Sequence, residues 1–113
     1  IKIKDTVADN ASCGLFVVNE DAAVDPRDID LATCGMVVTK NGSLMSTGAG
    51  AAALGSPVNC VAWLANTLGQ FGIPLKAGEI ILSGSLVPLE PVVPGDEMTV
   101  SIGGMGSCSV KFT

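Results

Sequence analysis

The segment 47–86 constrains the fold most, because it encodes a capped helix, a turn and a short apolar run in succession. Ser56 is a favourable N-cap, and Pro57 suits the first helical position, where a backbone N–H has no intrahelical partner in any case. Apolar residues then recur at spacings of three and four, and Gly72 with Pro74 favours termination. The pattern predicts a helix over residues 57–71.

A possible anion-binding turn follows this helix. Residues 80–82 are an apolar run typical of a buried strand, and Ser83, Gly84 and Ser85 come directly after it. Two hydroxyls that flank a glycine, together with accessible backbone N–H groups, can hold a carboxylate or an oxyanion. Serine and glycine also end many strands that bind nothing, so the residues alone leave both interpretations open.

The rest of the sequence indicates mainly strands. Asn41-Gly42 between two apolar runs is a strong hairpin signal, and Gly103 to Gly106 indicates a second hairpin. Prolines at 88, 91 and 94 predict an extended segment with poor pairing over residues 86–93. Residues 1–10 suit a short helix or a strand that enters a helix, and we favour the helix. We predict strands over residues 12–18, 31–39, 97–102 and 107–112.

Composition excludes several classes of protein. The chain has 113 residues, 48% of them hydrophobic and 15% charged, which predicts one domain with apolar surface left for a partner. A formal charge of −5 without a basic stripe argues against nucleic-acid binding. Neither a membrane-spanning apolar run nor a secretion signal is apparent in the sequence. We therefore expect a cytoplasmic protein that does not contact a membrane.

Cysteines and aspartates give no metal motif. The four cysteines are widely and irregularly spaced and there is no histidine, so free buried thiols are favoured over zinc, with a disulfide framework as the less favoured alternative. Three aspartates lie close together at positions 25, 28 and 30, but the glycine and closing glutamate of an EF-hand loop do not follow them. A solvated loop is the better interpretation.

Three stretches of the sequence carry a family resemblance: TVADNASCG, the segment 47–86, and PGDEMTV followed by GGMGSCSVKF. In this order they resemble the C-terminal half of the 2-hydroxypenta-2,4-dienoate hydratases (2-keto-4-pentenoate hydratases) of the fumarylacetoacetate hydrolase superfamily. The resemblance implies an α+β, mostly β fold, a mixed β-sandwich roll around one main helix that is incomplete here. It also implies that residues 1–113 are the C-terminal portion of the catalytic domain, with the metal-binding half absent.

The activity implied by the resemblance is the addition of water to 2-hydroxypenta-2,4-dienoate, giving 4-hydroxy-2-oxopentanoate in aromatic meta-cleavage catabolism. A divalent ion, magnesium or manganese, assists as a Lewis acid. The family's carboxylate ligands lie upstream of this segment, so no metal ligand is assigned here and the fragment alone is expected to be inactive. Ser83, Gly84 and Ser85 are the implied substrate-binding residues, with Ser85 facing the carboxylate, and Asn10 and Ser12 are candidate catalytic residues.

Two alternatives stay open at this point. A 4-oxalocrotonate decarboxylase is a sister enzyme of similar fold and metal use, and a non-catalytic dimerisation or binding module would keep the fold alone. The expected partners are a small 2-hydroxydienoate or 2-oxo acid, further copies of the same chain, and a sister decarboxylase with which such hydratases can associate.

Overall fold

The structure, a computed structural model, describes residues 2–113 without the side chain of Asn10. A four-stranded antiparallel sheet in the order β2-β1-β3-β4 forms its centre. The strands and helices of the described chain are α1 (Ile3–Ala8), β1 (Gly35–Lys40), β2 (Ser43–Ala49), α2 (Pro57–Gly69), β3 (Glu97–Ile102) and β4 (Gly106–Lys111), with three short 3₁₀ turns between them. The α+β, mostly β class with one main helix is confirmed, and the described residues contribute one sheet to it.

Both predicted hairpins are present. Asn41 and Gly42 have positive φ angles of 53° and 79°, as the two-residue turn between β1 and β2 requires. A bulge between Val38 and Thr39 leaves Met45 of β2 without an opposing residue. The second hairpin turns after Ile102, whose carbonyl accepts from the N–H of Met105 at 3.1 Å. These turns fix the register of β1 with β2 and of β3 with β4.

The sheet has one apolar and one polar face. Val38 lies between Ser46 and Val100 in the ladder and is only 3% exposed, so the face it shares with Met36 is the better covered one. The other face carries hydroxyl side chains, and the Oγ atoms of Thr99 and Ser109 are 2.8 Å apart across β3 and β4. Alternation of this kind is expected for an antiparallel sheet with one solvated face.

The main helix follows the sequence signals closely. Ser56 Oγ accepts from the N–H of Val58 at 3.4 Å, and Pro57 occupies the first turn as predicted. The helix ends at Gly69, two residues before the predicted end. The Ile73 N–H returns to the carbonyl of Leu68, which closes the last turn. Trp63 is 60% exposed, so it lies on the outer side of the helix and outside the core.

Two predicted strands are wrong. Residues 13–18 and 80–82 have no regular secondary structure, Ser12 belongs to a 3₁₀ turn, and neither segment joins a ladder within the described chain. Leu15 is 95% exposed and Ile80 59%, so neither segment has the neighbour that a strand needs to satisfy its backbone groups. Residues 86–93 lie outside the sheet, with bends at residues 86 and 87, so the poor pairing that their prolines predicted is confirmed.

The predicted strand over 31–39 begins later than expected. Asp30 accepts from the N–H of Ala32 at 3.0 Å and from the hydroxyl of Thr33 at 2.7 Å, which holds residues 31–33 in a turn. β1 therefore starts at Gly35. The helix predicted over residues 1–10 is present as α1, although Ile1 lies outside the described residues.

The four cysteines are free and half-buried, so the less favoured disulfide framework is not formed and the thiols are more exposed than predicted. Among residues 2–113 no helix has the length and apolar character needed to cross a membrane.

Asp96 anchors the turn before β3 to the end of β1. It is 7% exposed, and its Oδ2 accepts from Lys40 Nζ at 2.8 Å and from the N–H of Val93 at 2.9 Å. Its Oδ1 accepts from Asn41 Nδ2 at 2.8 Å, while Asn41 Oδ1 accepts from the N–H of Glu97 at 2.8 Å. These donors, Lys40 first and then Asn41 and Val93, lower the pKa of Asp96 to about 2.

The lowered pKa of Asp96 predicts a loss of stability in acid. The carboxylate stabilises the native state fully above its usual pKa of about 3.9, and this contribution is lost as the pH falls through about 2. Asp96→Asn should therefore lower the melting temperature at pH 7 and flatten its decline between about pH 4 and pH 2. Thermal unfolding across this range, with Asp28→Asn in an exposed loop as control, checks the prediction. A wild-type slope in the Asp96 variant would contradict it.

Candidate functional site

An open cleft lies between the apolar face of the sheet, the first turns of α2 and residues 81–90. Its volume is about 810 Å³. The apolar side chains that line it come from β1, β2, β3 and α2 and include Met36, Val38, Met45, Val61, Val100 and Ile102. The cleft is large enough for a small organic molecule and offers it a hydrocarbon surface.

Ser83, Gly84 and Ser85 lie together on one wall of the cleft, where the sequence placed a possible anion site. Gly84 has a φ of 120°, a conformation that L side chains rarely adopt, although open space surrounds the position of a Cβ there. The backbone conformation is thus what requires glycine. Within the described chain, the N–H groups of Ser83, Gly84 and Ser85 donate to no other residue, so they are available to a ligand.

The two serine side chains of this wall differ in their hydrogen bonds. The hydroxyl of Ser85 accepts from the N–H of Val87 at 3.3 Å and donates to the carbonyl oxygen of the same residue. It therefore holds the turn that follows Gly84. The hydroxyl of Ser83, which is half-buried, makes no hydrogen bond to another described residue. Of the two, Ser83 has the side chain that is free to donate into the cleft.

Residues 86–93 complete the wall and contact the sheet at two places. A Cβ at Gly48 would lie 2.3 Å from the carbonyl oxygen of Leu86, so only glycine lets this segment approach β2 so closely. At the other end, Lys40 Nζ donates to the carbonyl oxygen of Pro91 at 3.0 Å. Pro88, Leu89 and Glu90, between these contacts, line the cleft.

Ser12 is not among the residues that line this cleft. Its neighbours Ala11 and Cys13 line a second hollow of about 530 Å³ together with Leu64 of α2. Ser12 is exposed, has a φ of 56° and donates its N–H to the carbonyl of Asp9 at 2.7 Å. The side chain of Asn10 lies outside the described residues. The catalytic roles predicted for Asn10 and Ser12 stay predictions.

The described residues do not fit a metal site by themselves. Among residues 2–113 no three histidine, cysteine, aspartate or glutamate side chains converge in a way that could hold an ion. Asp25 pairs with Arg27, whose guanidinium lowers the pKa of this aspartate, and the Thr33 hydroxyl lowers that of Asp30. In the cleft, Glu90 is the one carboxylate among the lining residues of the described chain.

Sequence reasoning missed the residues that support the cleft wall. Gly48 stood in a glycine- and alanine-rich run, and nothing in that run indicated contact with Leu86. Lys40 and Asp96 are 56 positions apart, beyond the reach of any local pattern. The available signals were the Asn41-Gly42 turn and the Pro94-Gly95-Asp96 turn, each of which marked a chain reversal without revealing that the two meet.

Comparison with known proteins identifies relatives over nearly the whole chain. The family profile described as "Fumarylacetoacetate (FAA) hydrolase C-terminal" matches residues 5–113. A 2-hydroxyhexa-2,4-dienoate hydratase of Comamonas testosteroni is 58% identical over 113 residues, 100% of this chain and 42% of that protein. A 2-hydroxypent-2,4-dienoate hydratase of Pseudomonas putida is 81% identical over 73 residues, 65% of this chain and 32% of that protein. The chain thus spans less than half the length of these curated relatives.

The fold is also similar to solved structures. A 4-oxalocrotonate decarboxylase from Pseudomonas putida G7, complexed with magnesium and adipate, superposes with a TM-score of 0.71 at 46% identity, covering 77% of this chain and 33% of that one. A structure of the same enzyme with calcium and acetate gives the same TM-score and identity.

Because the Leu86 carbonyl lies so close to Gly48, we expect alanine to destabilise the protein at this position and not at Gly35. Gly48→Ala would place a Cβ 2.3 Å from the Leu86 carbonyl, so the wall must shift, with a stability loss of about 1 to 3 kcal/mol. Gly35→Ala in β1 is the matched control, because nothing lies within 4 Å of its Cβ position. Denaturant unfolding of the two variants checks this, and equal stabilities would show that the contact does not constrain the wall.

Proposed function

The chain belongs to the fumarylacetoacetate hydrolase C-terminal family, and we propose that the whole protein is a hydratase. It adds water to 2-hydroxypenta-2,4-dienoate or a close homologue to give a 4-hydroxy-2-oxo acid. The similarity to two hydratases, at 58% and 81% identity, supports this proposal more strongly than the 46% identity to the decarboxylase. The reaction belongs to the meta-cleavage catabolism of aromatic compounds.

The cleft is the observation that carries the proposal, because it combines the two surfaces that such a substrate needs. Its apolar floor, with Val38 and Val100, receives the hydrocarbon chain. At the opposite wall, the Ser83 hydroxyl and the free N–H groups around Gly84 receive the carboxylate. Backbone N–H groups in a glycine turn bind anions without a cationic side chain, so this wall holds the carboxylate by hydrogen bonds.

The cofactor and the assembly belong to the same proposal. A divalent metal is supported by the magnesium and calcium in the decarboxylase structures, and manganese is a further candidate. Because the described residues do not fit a metal site, we assign its ligands to a part of the protein outside this chain. Homo-oligomer formation is supported by exposed apolar side chains such as Trp63 and Phe71. A cytoplasmic location follows from the catabolic reaction.

Decarboxylation is the second candidate, because the fold superposes on a 4-oxalocrotonate decarboxylase. That enzyme was solved with adipate, a dicarboxylate. Glu90 lies on the same wall as the serine–glycine turn, so its negative charge acts on either carboxylate of a substrate and does not separate the two activities.

Turnover by the whole protein tests the proposal. With magnesium or manganese we expect the ultraviolet absorbance of 2-hydroxypenta-2,4-dienoate to decay and 4-hydroxy-2-oxopentanoate to be identified by mass spectrometry. Release of carbon dioxide from 4-oxalocrotonate in place of hydration would assign the decarboxylase activity. Lack of turnover of both substrates, with metal bound, would favour a non-catalytic module.

Substitution at the two serines separates substrate binding from turn support. Ser83→Ala should lower kcat/KM by about tenfold to a hundredfold, since a hydrogen bond to a charged group contributes about 1.5 to 3 kcal/mol. Ser85→Ala removes both bonds to Val87 and should mainly raise KM, because the turn is less well held. Steady-state kinetics of both variants measure these effects.

Ser56→Ala is the matched control for these kinetics. It removes the cap of α2 at a cost of about 1 kcal/mol of stability and should leave kcat/KM near the wild-type value. If Ser83→Ala loses stability in the same way without losing activity, the serine–glycine turn does not bind substrate.

A further inference from the structure

We propose that Lys40 and Asp96 are positioning residues for the cleft: their ion pair holds residues 86–93 against the sheet and thereby sets the affinity for substrate. The contacts of this pair, which we name the Lys40–Asp96 clamp, are independent of the reaction. Its effect on substrate affinity rests on the proposed hydratase function.

The cleft wall needs such a clamp because it has little support of its own. Residues 86–93 lie outside the sheet, and within the described chain only Val87 and Val93 have backbone N–H groups with a partner. Leu89 is 96% exposed, so packing does not fix the middle of the segment. A segment outside a ladder has many conformations available unless its ends are held.

The clamp holds the C-terminal end of residues 86–93 through two contacts, one at Pro91 and one at Val93. The ammonium group of Lys40 donates to the carbonyl oxygen of Pro91 at 3.0 Å and pairs with Asp96 Oδ2 at 2.8 Å. The same Oδ2 accepts from the N–H of Val93 at 2.9 Å. The side chains are 29% and 9% exposed, so solvent screens this pair less than it screens an ion pair on the surface.

The clamp lies next to the cleft but does not line it. Lys40 is paired in the ladder with Met98, which lines the cleft, whereas neither Lys40 nor Asp96 does so. The wall residues Pro88 to Glu90 lie between the close contact of Leu86 with Gly48 and the clamped Pro91. Release of the clamp therefore frees one end of the wall while the serine–glycine turn stays in place.

Lys40→Met in the whole protein tests this proposal. We expect KM for 2-hydroxypenta-2,4-dienoate to rise about tenfold with kcat changed less than about twofold, because a misplaced wall weakens binding and leaves the reacting groups intact. Amide hydrogen exchange of Val93, whose N–H the clamp holds through Asp96, should accelerate, while that of Val87, which Ser85 holds, stays at the wild-type rate. Lys40→Arg, which keeps the charge and the donors, should restore both properties.

Lys111→Met is the matched control, since it removes an exposed lysine at the end of β4 and should change neither KM nor exchange. Unchanged exchange of the Val93 amide in Lys40→Met would overturn the clamp, and faster exchange of this amide with an unchanged KM would overturn its effect on substrate. If Lys40→Met does not fold, Lys40→Gln carries the same measurements. A wild-type protein without turnover would refute the proposed function, while hydrogen exchange would still decide the clamp.

Discussion

A carboxylate buried between two turns organises this chain. Removing Asp96 from water is unfavourable unless donors surround it, and Lys40, Asn41 and the N–H of Val93 provide them. Asp96 can accept from all of these donors only if the β1–β2 turn lies beside the turn that precedes β3. The same condition places β3 next to β1 in the sheet, so the polar network and the strand order support each other. The chain reversal at Asn41 thus fixes a pairing across more than 50 residues.

The cleft follows from this pairing. With β1 and β3 adjacent, Met36, Val38 and Val100 form a continuous apolar floor. Residues 86–93 cross its edge because Gly48 admits them at one end and Lys40 binds them at the other. The floor and the wall of the cleft therefore come from elements whose relative position depends on the same buried carboxylate, that of Asp96. If the cleft binds substrate as proposed, a substitution far from it changes the affinity through this dependence.

The features that the sequence predicted are those encoded locally. The cap at Ser56 and the turn at Asn41-Gly42 act within a few residues, and the structure has both α2 and the hairpin. Residues 12–18 and 80–82 have strand-like composition, but a strand also needs a partner, and none pairs with them in the described chain. The Lys40–Asp96 contact was unpredictable for a related reason, since it depends on how two distant turns meet.

The serine–glycine turn shows how far a resemblance carries at the level of single residues. It pointed to three residues that line the cleft, and the hydroxyl predicted to face the carboxylate, that of Ser85, is hydrogen-bonded to Val87. A hydroxyl has one proton to donate, so Ser85 would have to leave the Val87 carbonyl before it could donate to a ligand. Ser83 and the backbone N–H groups need no such exchange. If this turn binds the carboxylate as proposed, it loses less conformational entropy on binding because Ser85 already holds its shape. Ser85 then supports binding without contacting the ligand.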